Sequence, residues 1–462
     1  MSDCPRNIAI IGAGAAGCFC AIELKRRLPA TRVTVYEAGR KALAKVAVTG
    51  GGRCNLTNSF DGIGHLAEAY PRGERLVKRA FTQFGPRETM AWWEKEGVRL
   101  VVQSDNCVFP ASQDAMQIVR TLENLMRRLG VEVVLDSRVE RIEPLADGRF
   151  ALKIVEKANS TGHPSAGIPG TAGASTVQPF RSVETDAVVL TSGGGALKML
   201  DGLDIAIEKP VPSLFTFKLK GPAASTATSS ASLKTPGTSP ATPGATSTTP
   251  VPAVSDIRSL AGTVVENAKL ALVGTAFRSE ATLLITDWGV SGPATLKLSS
   301  YAARHLAETL YGGTLTINYT GVGEDDIRRE LSRLIQSAPQ RQLASTPAFG
   351  LTARLWKHLI ARAGIRADIR NAELGSKGLN RLVATLSADA YELAGRCHFK
   401  EEFVTCGGVS ASAVNANTLE SRNYAGLFFA GEVLDIDGIT GGFNLQAAWS
   451  TAMAVARAIS QK

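Results

Sequence analysis

Residues 7–37 constrain this chain more than any other stretch. A short apolar strand, Asn7-Ile8-Ala9-Ile10-Ile11, runs directly into Gly12-Ala13-Gly14-Ala15-Ala16-Gly17, followed by a helix-forming segment over 15–28 and a second strand, 32–36, that ends in Glu37. The pattern G-x-G-x-x-G carries physical meaning only in such a setting. Gly12 makes the tight turn, Gly14 lets the backbone approach a pyrophosphate, and Gly17 allows the helix to pack closely on the strand. Ala15 and Ala16 belong to the same cofactor-binding turn. Glu37 follows Gly17 by twenty residues, where a carboxylate can accept hydrogen bonds from an adenosine ribose. Together these pieces predict a dinucleotide site at the start of an α/β fold.

Three further glycine-rich junctions extend the prediction. The stretch 47–58 holds Gly50, Gly51 and Gly52 before Arg53, Cys54 and Asn55, exposing backbone amides beside a cation and small polar side chains. Such a loop suits an anionic or polar ligand, and its plain alternative is a surface turn. The apolar strand 187–190 runs into Thr191, Ser192 and Gly193. Near the carboxyl end, an apolar strand over 426–430 reaches Gly431 and Glu432. A loop with Asp437, Gly441, Gly442 and Asn444 then leads into a helix over 445–459 with one apolar face. Asn444 is placed to cap that helix, whose positive end would stabilise negative charge on a reduced flavin. Asp435, Asp437 and Gly438 do not make a calcium loop, because the spacing and the terminal glutamate are missing, and no metal is expected. A fingerprint at one end of the chain and a glycine loop with a helix at the other favour FAD, which is long enough to touch both. Arg40 and Val139 complete the cofactor-binding candidates.

Between these junctions, 74–96 reads as two amphipathic helices with Trp92 and Trp93 in a core. A helix over 114–129 is stopped by Gly130, and a strand follows over 131–134. Strands over 150–155 and 183–190 form a hairpin-like excursion around a flexible, uncharged loop, 158–180. Residues 221–255 collapse to Ala, Ser, Thr, Pro and Gly and read as a disordered linker. Residues 324–394 read as mostly helical. The expected domains are an FAD-binding Rossmann-like one over 1–204 and 405–462, an inserted β domain over 205–320 and 375–404, and a helical subdomain over 321–374.

Composition limits the partners. At 462 residues the chain is long enough for two or three domains. The net charge of +9 is spread among acids rather than massed in a block, so nucleic acid is not the expected partner. No run of about 18 apolar residues is present to span a bilayer. Only seven residues precede the first strand's core, so no leader is expected and the protein reads as cytoplasmic. Seven cysteines without a C-x-x-C pair argue against a dithiol active site and a disulfide framework. Oligomeric state is not legible.

The motifs GAGAAG, VTGGGRCNLTNS, VFPAS, WGVSGP, VTCGGV and GEVLDIDGITGGFNLQAAWS resemble those of the BaiN-like bacterial flavoproteins, the aminoacetone-oxidase-like NAD(P)/FAD-dependent oxidoreductases. The resemblance spans nearly the whole chain. It implies a discontinuous FAD domain of the two-dinucleotide-binding type, interrupted by a β-barrel-like domain and a small helical domain. It also implies that Gly12, Gly14, Gly17, Glu37, Arg53, Asn55, Gly431, Glu432, Gly441, Gly442 and Asn444 surround FAD. The family's best-known activity is NAD(P)H-linked reduction of a conjugated enone in steroid-like compounds. Three departures stand out. Thr286-Asp287 replaces the Thr-His of many relatives, the stretch after Gly195 is shorter, and the 221–255 insert is peculiar to this chain.

The expected chemistry is hydride transfer through flavin N5 from NADH or NADPH, docking transiently, to a small organic substrate such as a conjugated enone. No second G-x-G-x-x-G serves the nicotinamide, which keeps open an oxidase using O₂ on a small amine or carbonyl compound. An RNA-associated, tRNA-modifying flavoprotein and a flavin-bound redox sensor are further alternatives. Two residues are catalytic candidates. Cys54, beside Arg53, is either an activated thiol or a buried structural one. Asp287 either supplies a proton or caps the helix after it.

Overall fold

The computed structural model describes residues 5–156, 180–195, 197–221, 256–396 and 404–462. Apart from residues 180 and 221 at their edges, the expected loop 158–180 and linker 221–255 lie outside the described residues, as do Cys4 and Cys397. The chain divides into two units, Met1–Ser213 with Glu402–Lys462, and Leu214–Glu401.

The first unit is built on a five-stranded parallel sheet in the order Leu427–Phe429, Ala187–Leu190, Asn7–Ile11, Arg32–Tyr36, Glu132–Val134. Ile10 faces Val35 on one side and Val189 on the other, and all three are fully buried. Strands buried on both faces need continuous apolar sequence, which is why these short runs were legible without alternation. Helices Ala15–Arg27 and Phe443–Ser460 pack together, with the Phe19 and Trp449 rings 5.4 Å apart. Helix Ala115–Leu129 starts where the Asp114 carboxylate accepts from Met116 N at 2.9 Å and stops at Gly130, φ 71°. Trp92 and Trp93, on helix Pro86–Lys95, are buried against Phe19 and Trp449.

The excursion has three strands rather than two: Ser137–Pro144, Phe150–Glu156 and Arg181–Thr185 form an antiparallel sheet. The run 183–190 does not continue as one strand. It turns at Asp186, whose carboxylate accepts from Arg6 N and Asn7 N, both at 2.8 Å, and only Ala187–Leu190 enters the parallel sheet. Strand Ile207–Ser213 pairs with Val404–Val409 inside the first unit, so that unit extends past residue 204.

The second unit is a closed barrel of six strands, Phe217–Leu219, Gly289–Ser291, Arg278–Ile285, Val264–Leu272, Thr314–Asn318 and Asp389–Arg396, with helices Glu324–Ser337, Ala353–Arg362 and Gly375–Ala388. The stretch expected to be helical to residue 394 therefore ends in a barrel strand. Barrel residues Leu270, Ile285 and Ile317 share one apolar core with helix residues Leu331, Trp356 and Leu386. The segment 321–374 is part of this core, not a body of its own, because its amphipathic helices bury their apolar faces, Ile327, Leu331, Leu355 and Trp356 among them, with the barrel residues.

Candidate cofactor site

The fingerprint glycines divide by what surrounds them. Gly12 has φ +107°, and a Cβ there would lie 2.7 Å from Ser192 Cα; a Cβ on Gly17 would lie 2.0 Å from the Gly12 carbonyl oxygen. Both are demanded by the fold. Gly14 is different, because a Cβ there would meet nothing within 4 Å. Its open face is at the start of helix Ala15–Arg27, which has no side-chain cap and no acid in its first turn. Uncapped amides and the dipole's positive end leave Ala15 and Ala16 suited to an anion.

The neighbouring junction locks this turn. The Thr191 hydroxyl donates to Ile11 O at 3.0 Å and Gly12 O at 2.8 Å, while the Ser192 hydroxyl is buried without a hydrogen-bond partner. A buried hydroxyl left unpaired costs free energy unless a ligand or water engages it. Gly193, φ +77°, sits beside Glu432, whose other oxygen accepts from Thr405 N at 2.8 Å. Lys45 Nζ stands 3.6 Å from the Glu432 carboxylate, an exposed cation that sequence reasoning missed because nothing local marks it. At Gly431, a Cβ would lie 2.8 Å from the Ala16 Cβ, so glycine lets the last strand end against the first helix. The Glu37 carboxylate accepts from Ala13 N at 2.8 Å and Gly39 N at 2.7 Å, fixing it at the end of its strand.

The loop after Thr49 is shaped by three successive left-handed glycines, Gly50, Gly51 and Gly52, that break helix Ala44–Gly52; Gly51 and Gly52 face open space. Arg53 is exposed, its guanidinium 4.6 Å over the Phe109 ring and its Nε donating to Gly50 O at 3.2 Å. The Asn55 amide, with its nitrogen toward Thr57 O at 2.9 Å, accepts from Gly442 N at 3.2 Å. A Cβ on Gly442, φ +88°, would strike Thr57 O at 2.3 Å, and Gly441 has φ +130°. Beneath them, Gln446 accepts from Thr57 Oγ1 and donates to Thr89 Oγ1 at 2.9 Å and Ser450 Oγ at 2.8 Å. Trp449 Nε1 donates to Leu56 O at 3.0 Å. A buried polar network thus ties the 50–58 loop to the final helix, which starts at Gly442 without a side-chain cap. The open backbone at Gly14, the unpaired Ser192 hydroxyl and two uncapped helix starts fit a bound dinucleotide.

The HI0933-like protein Rossmann domain matches residues 6–458. The chain belongs to that family. Its members are flavoprotein oxidoreductases of the Rossmann type. Among curated relatives, the chain is similar to a ribosomal RNA dihydrouridine synthase of Haemophilus influenzae, 26% identical over all of both chains. It is also similar to one of the same name from Escherichia coli, 27% identical over 97% of this chain and 96% of the other. A 3-dehydro-bile acid delta(4,6)-reductase of Clostridium scindens is 26% identical over 99% of each.

In this HI0933-like chain several expected ligands serve other partners. The fully buried Asp437 carboxylate pairs with Arg72 and accepts from Ser213 Oγ at 2.9 Å, so its oxygens hold the protein together. Asn444 does not cap the final helix. It lies inside the helix and grips Gly438, while Gly442 occupies the cap position. Val139 is 3% exposed within its strand, and the Arg40 side chain is 84% exposed, 3.9 Å from Asp136. Cys54 is fully buried, and burial pushes its thiol up to about 11 against a lowering Thr49 hydrogen bond, so Arg53 does not activate it. Asp287 belongs to the second unit, exposed, and the helix beyond it starts at Gly292 with no side-chain cap. Among the described residues, no three His, Cys, Asp or Glu side chains gather as metal ligands, and no helix is long and apolar enough to cross a membrane.

Proposed function

We propose that this protein is an FAD-dependent reductase that adds hydride to a carbon–carbon double bond conjugated with a carbonyl group. The observation that carries the reading is the Gly12–Gly17 turn, with open backbone at Gly14, an uncapped helix start, and Ser192, packed against Gly12, whose buried hydroxyl is unpaired. The Gly12–Gly17 turn and the amides of Ala15 and Ala16 would hold the pyrophosphate, and Glu37 the ribose. Loops 50–55 and 441–444 would flank the ring system. Bound FAD supplies two-electron hydride exchange at its N5. The protein's own contribution is orientation and field: the uncapped start of helix Phe443–Ser460 favours negative charge, and Lys45 adds a cation beside Glu432.

The relatives support the reaction class rather than one substrate. By their names, one reduces a delta(4,6) bile acid and two form dihydrouridine, which is uridine with its ring double bond saturated. A small enone and a uracil ring both present an alkene conjugated to a carbonyl. A second reading, favoured by the two full-length RNA-acting relatives, takes uracil within RNA as the acceptor.

The test is the absorbance spectrum of the purified protein during anaerobic addition of NADH and then NADPH. Bleaching of the flavin bands by either nucleotide, followed by recovery on adding an enone or a uracil-containing RNA, is the expected result, and the acceptor that restores colour selects the reading. Bands that resist both nucleotides, or that recover only with O₂, overturn the reductase in favour of an oxidase or a sensor.

A further inference from the structure

We infer that the first unit carries a docking cleft for the phosphate backbone of RNA, at the ends of its helices opposite the glycine turn. This rests on the reading in which uracil within RNA is the acceptor. Three helices finish there in cations: Lys25, Arg26 and Arg27 close Ala15–Arg27, Lys95 closes Pro86–Lys95, and Arg127 and Arg128 close Ala115–Leu129. Basic residues at a helix end offset the dipole, which accounts for each cation singly. It does not account for one cation from each helix, Arg26, Lys95 and Arg128, lining the same open cleft of about 600 Å³ with Glu96 and Gly97.

Arg26 is held in place from three sides. Its guanidinium donates to Glu23 at 3.0 Å and to Glu96 at 2.7 Å and lies 5.3 Å over the Trp92 ring. Arg128 is 3.8 Å from the same Glu96, with its side chain 71% exposed, and Lys95 is exposed. Arg26, Lys95 and Arg128 therefore stand with two carboxylates, Glu23 and Glu96, leaving one positive charge in excess. Cations this exposed hold a single phosphate weakly, because water screens them. Against a polyanion they gain by displacing its condensed counterions, which selects a nucleic-acid backbone over a small anion. Arg26 lies eleven residues along the helix from Ala15, about 17 Å at 1.5 Å per residue. The helix between them is buried from Ala16 to Leu24, so the cleft would hold backbone flanking the reacting uracil rather than the uracil's own phosphate.

The test is fluorescence anisotropy of a uracil-containing single-stranded RNA on the FAD-loaded protein over a range of salt, comparing wild type with Lys95→Glu/Arg128→Glu. Neither residue touches the cofactor cradle. Binding should weaken at least about tenfold, and the slope of log affinity against log salt should fall by about 1.4, two phosphates at about 0.7 each. The flavin spectrum, thermal melting and reduction of a small enone should be unchanged; the neutral pair Lys95→Gln/Arg128→Gln should show a smaller loss of the same sign. Equal affinity and an unchanged slope in the variants overturn the cleft. If wild type binds RNA through the cleft but forms no dihydrouridine, the acceptor reading falls and the cleft stands. If all proteins form dihydrouridine equally, the cleft falls and the acceptor reading stands.

Discussion

The Asn444 side chain grips Gly438 by both its backbone groups, accepting from the Gly438 N–H at 2.8 Å and donating to its carbonyl at 2.9 Å. One amide thereby fixes the glycine loop to the first turn of the final helix. Asn444→Ala leaves a part-buried donor and acceptor unmatched, and each unmet group costs about 1–3 kcal/mol. The variant is expected to lose FAD on dialysis more readily than wild type and to melt earlier. Asn444→Asp keeps the acceptor and loses the donor, so it should lie between them. Equal FAD retention in all three proteins would show that the loop is held by something else.

Gly14 and Gly17 share a motif but should fail differently. Gly14 has φ −85° and open space at its Cβ position, so Gly14→Val should fold with a normal far-ultraviolet spectrum and emerge colourless. Gly17→Val places atoms against the Gly12 carbonyl and should reduce soluble yield outright. A yellow, FAD-saturated Gly14→Val protein would remove the cradle from the cofactor site.

Cys54 should be chemically quiet. With its thiol lifted to about 11 by burial, it stays protonated at neutral pH and should resist iodoacetamide in the native protein. Cys54→Ala should keep kcat within about twofold while losing about 1 kcal/mol of stability from the small void. A drop in kcat on the order of a hundredfold with the fold intact would restore the thiol to the chemistry.

The second unit should lose stability in mild acid through His358. Burial pushes this imidazole below its ordinary 6.5, with Arg362 adding to the effect and Asp389 and Asp256 opposing it. The folded form holds it neutral, whereas the unfolded chain takes up a proton as pH falls through 6.5. Its contribution is therefore complete above that value and is lost on the way down to the depressed folded value. Melting midpoints of wild type should fall more steeply than those of His358→Asn between about pH 7 and pH 5. Parallel pH profiles would mean that His358 does not govern the loss.

Much of the first unit was legible in sequence because its signals are local. A buried parallel strand needs an unbroken apolar run, a left-handed turn needs glycine, and a helix packed on one side repeats its apolar residues near every fourth position. The strands 7–11 and 32–36, the glycine turns and the final helix carry such signals. The turn at Asp186 and the closing strand Asp389–Arg396 do not. Asp186 is specified by two amides 180 and 179 residues away, and the closing strand by pairing with Phe217–Leu219 and Thr314–Asn318.

The sequence by itself determined where backbone could bend, start a helix or approach a ligand, since those limits belong to single residues and their immediate neighbours. Only the tertiary structure decided what the polar side chains do, because a carboxylate or amide takes the partner that folding brings within about 3 Å. Asp437 meets Arg72 across 365 residues and is consumed by it, whereas Arg26, Lys95 and Arg128, scattered among acids in the chain, face one cleft.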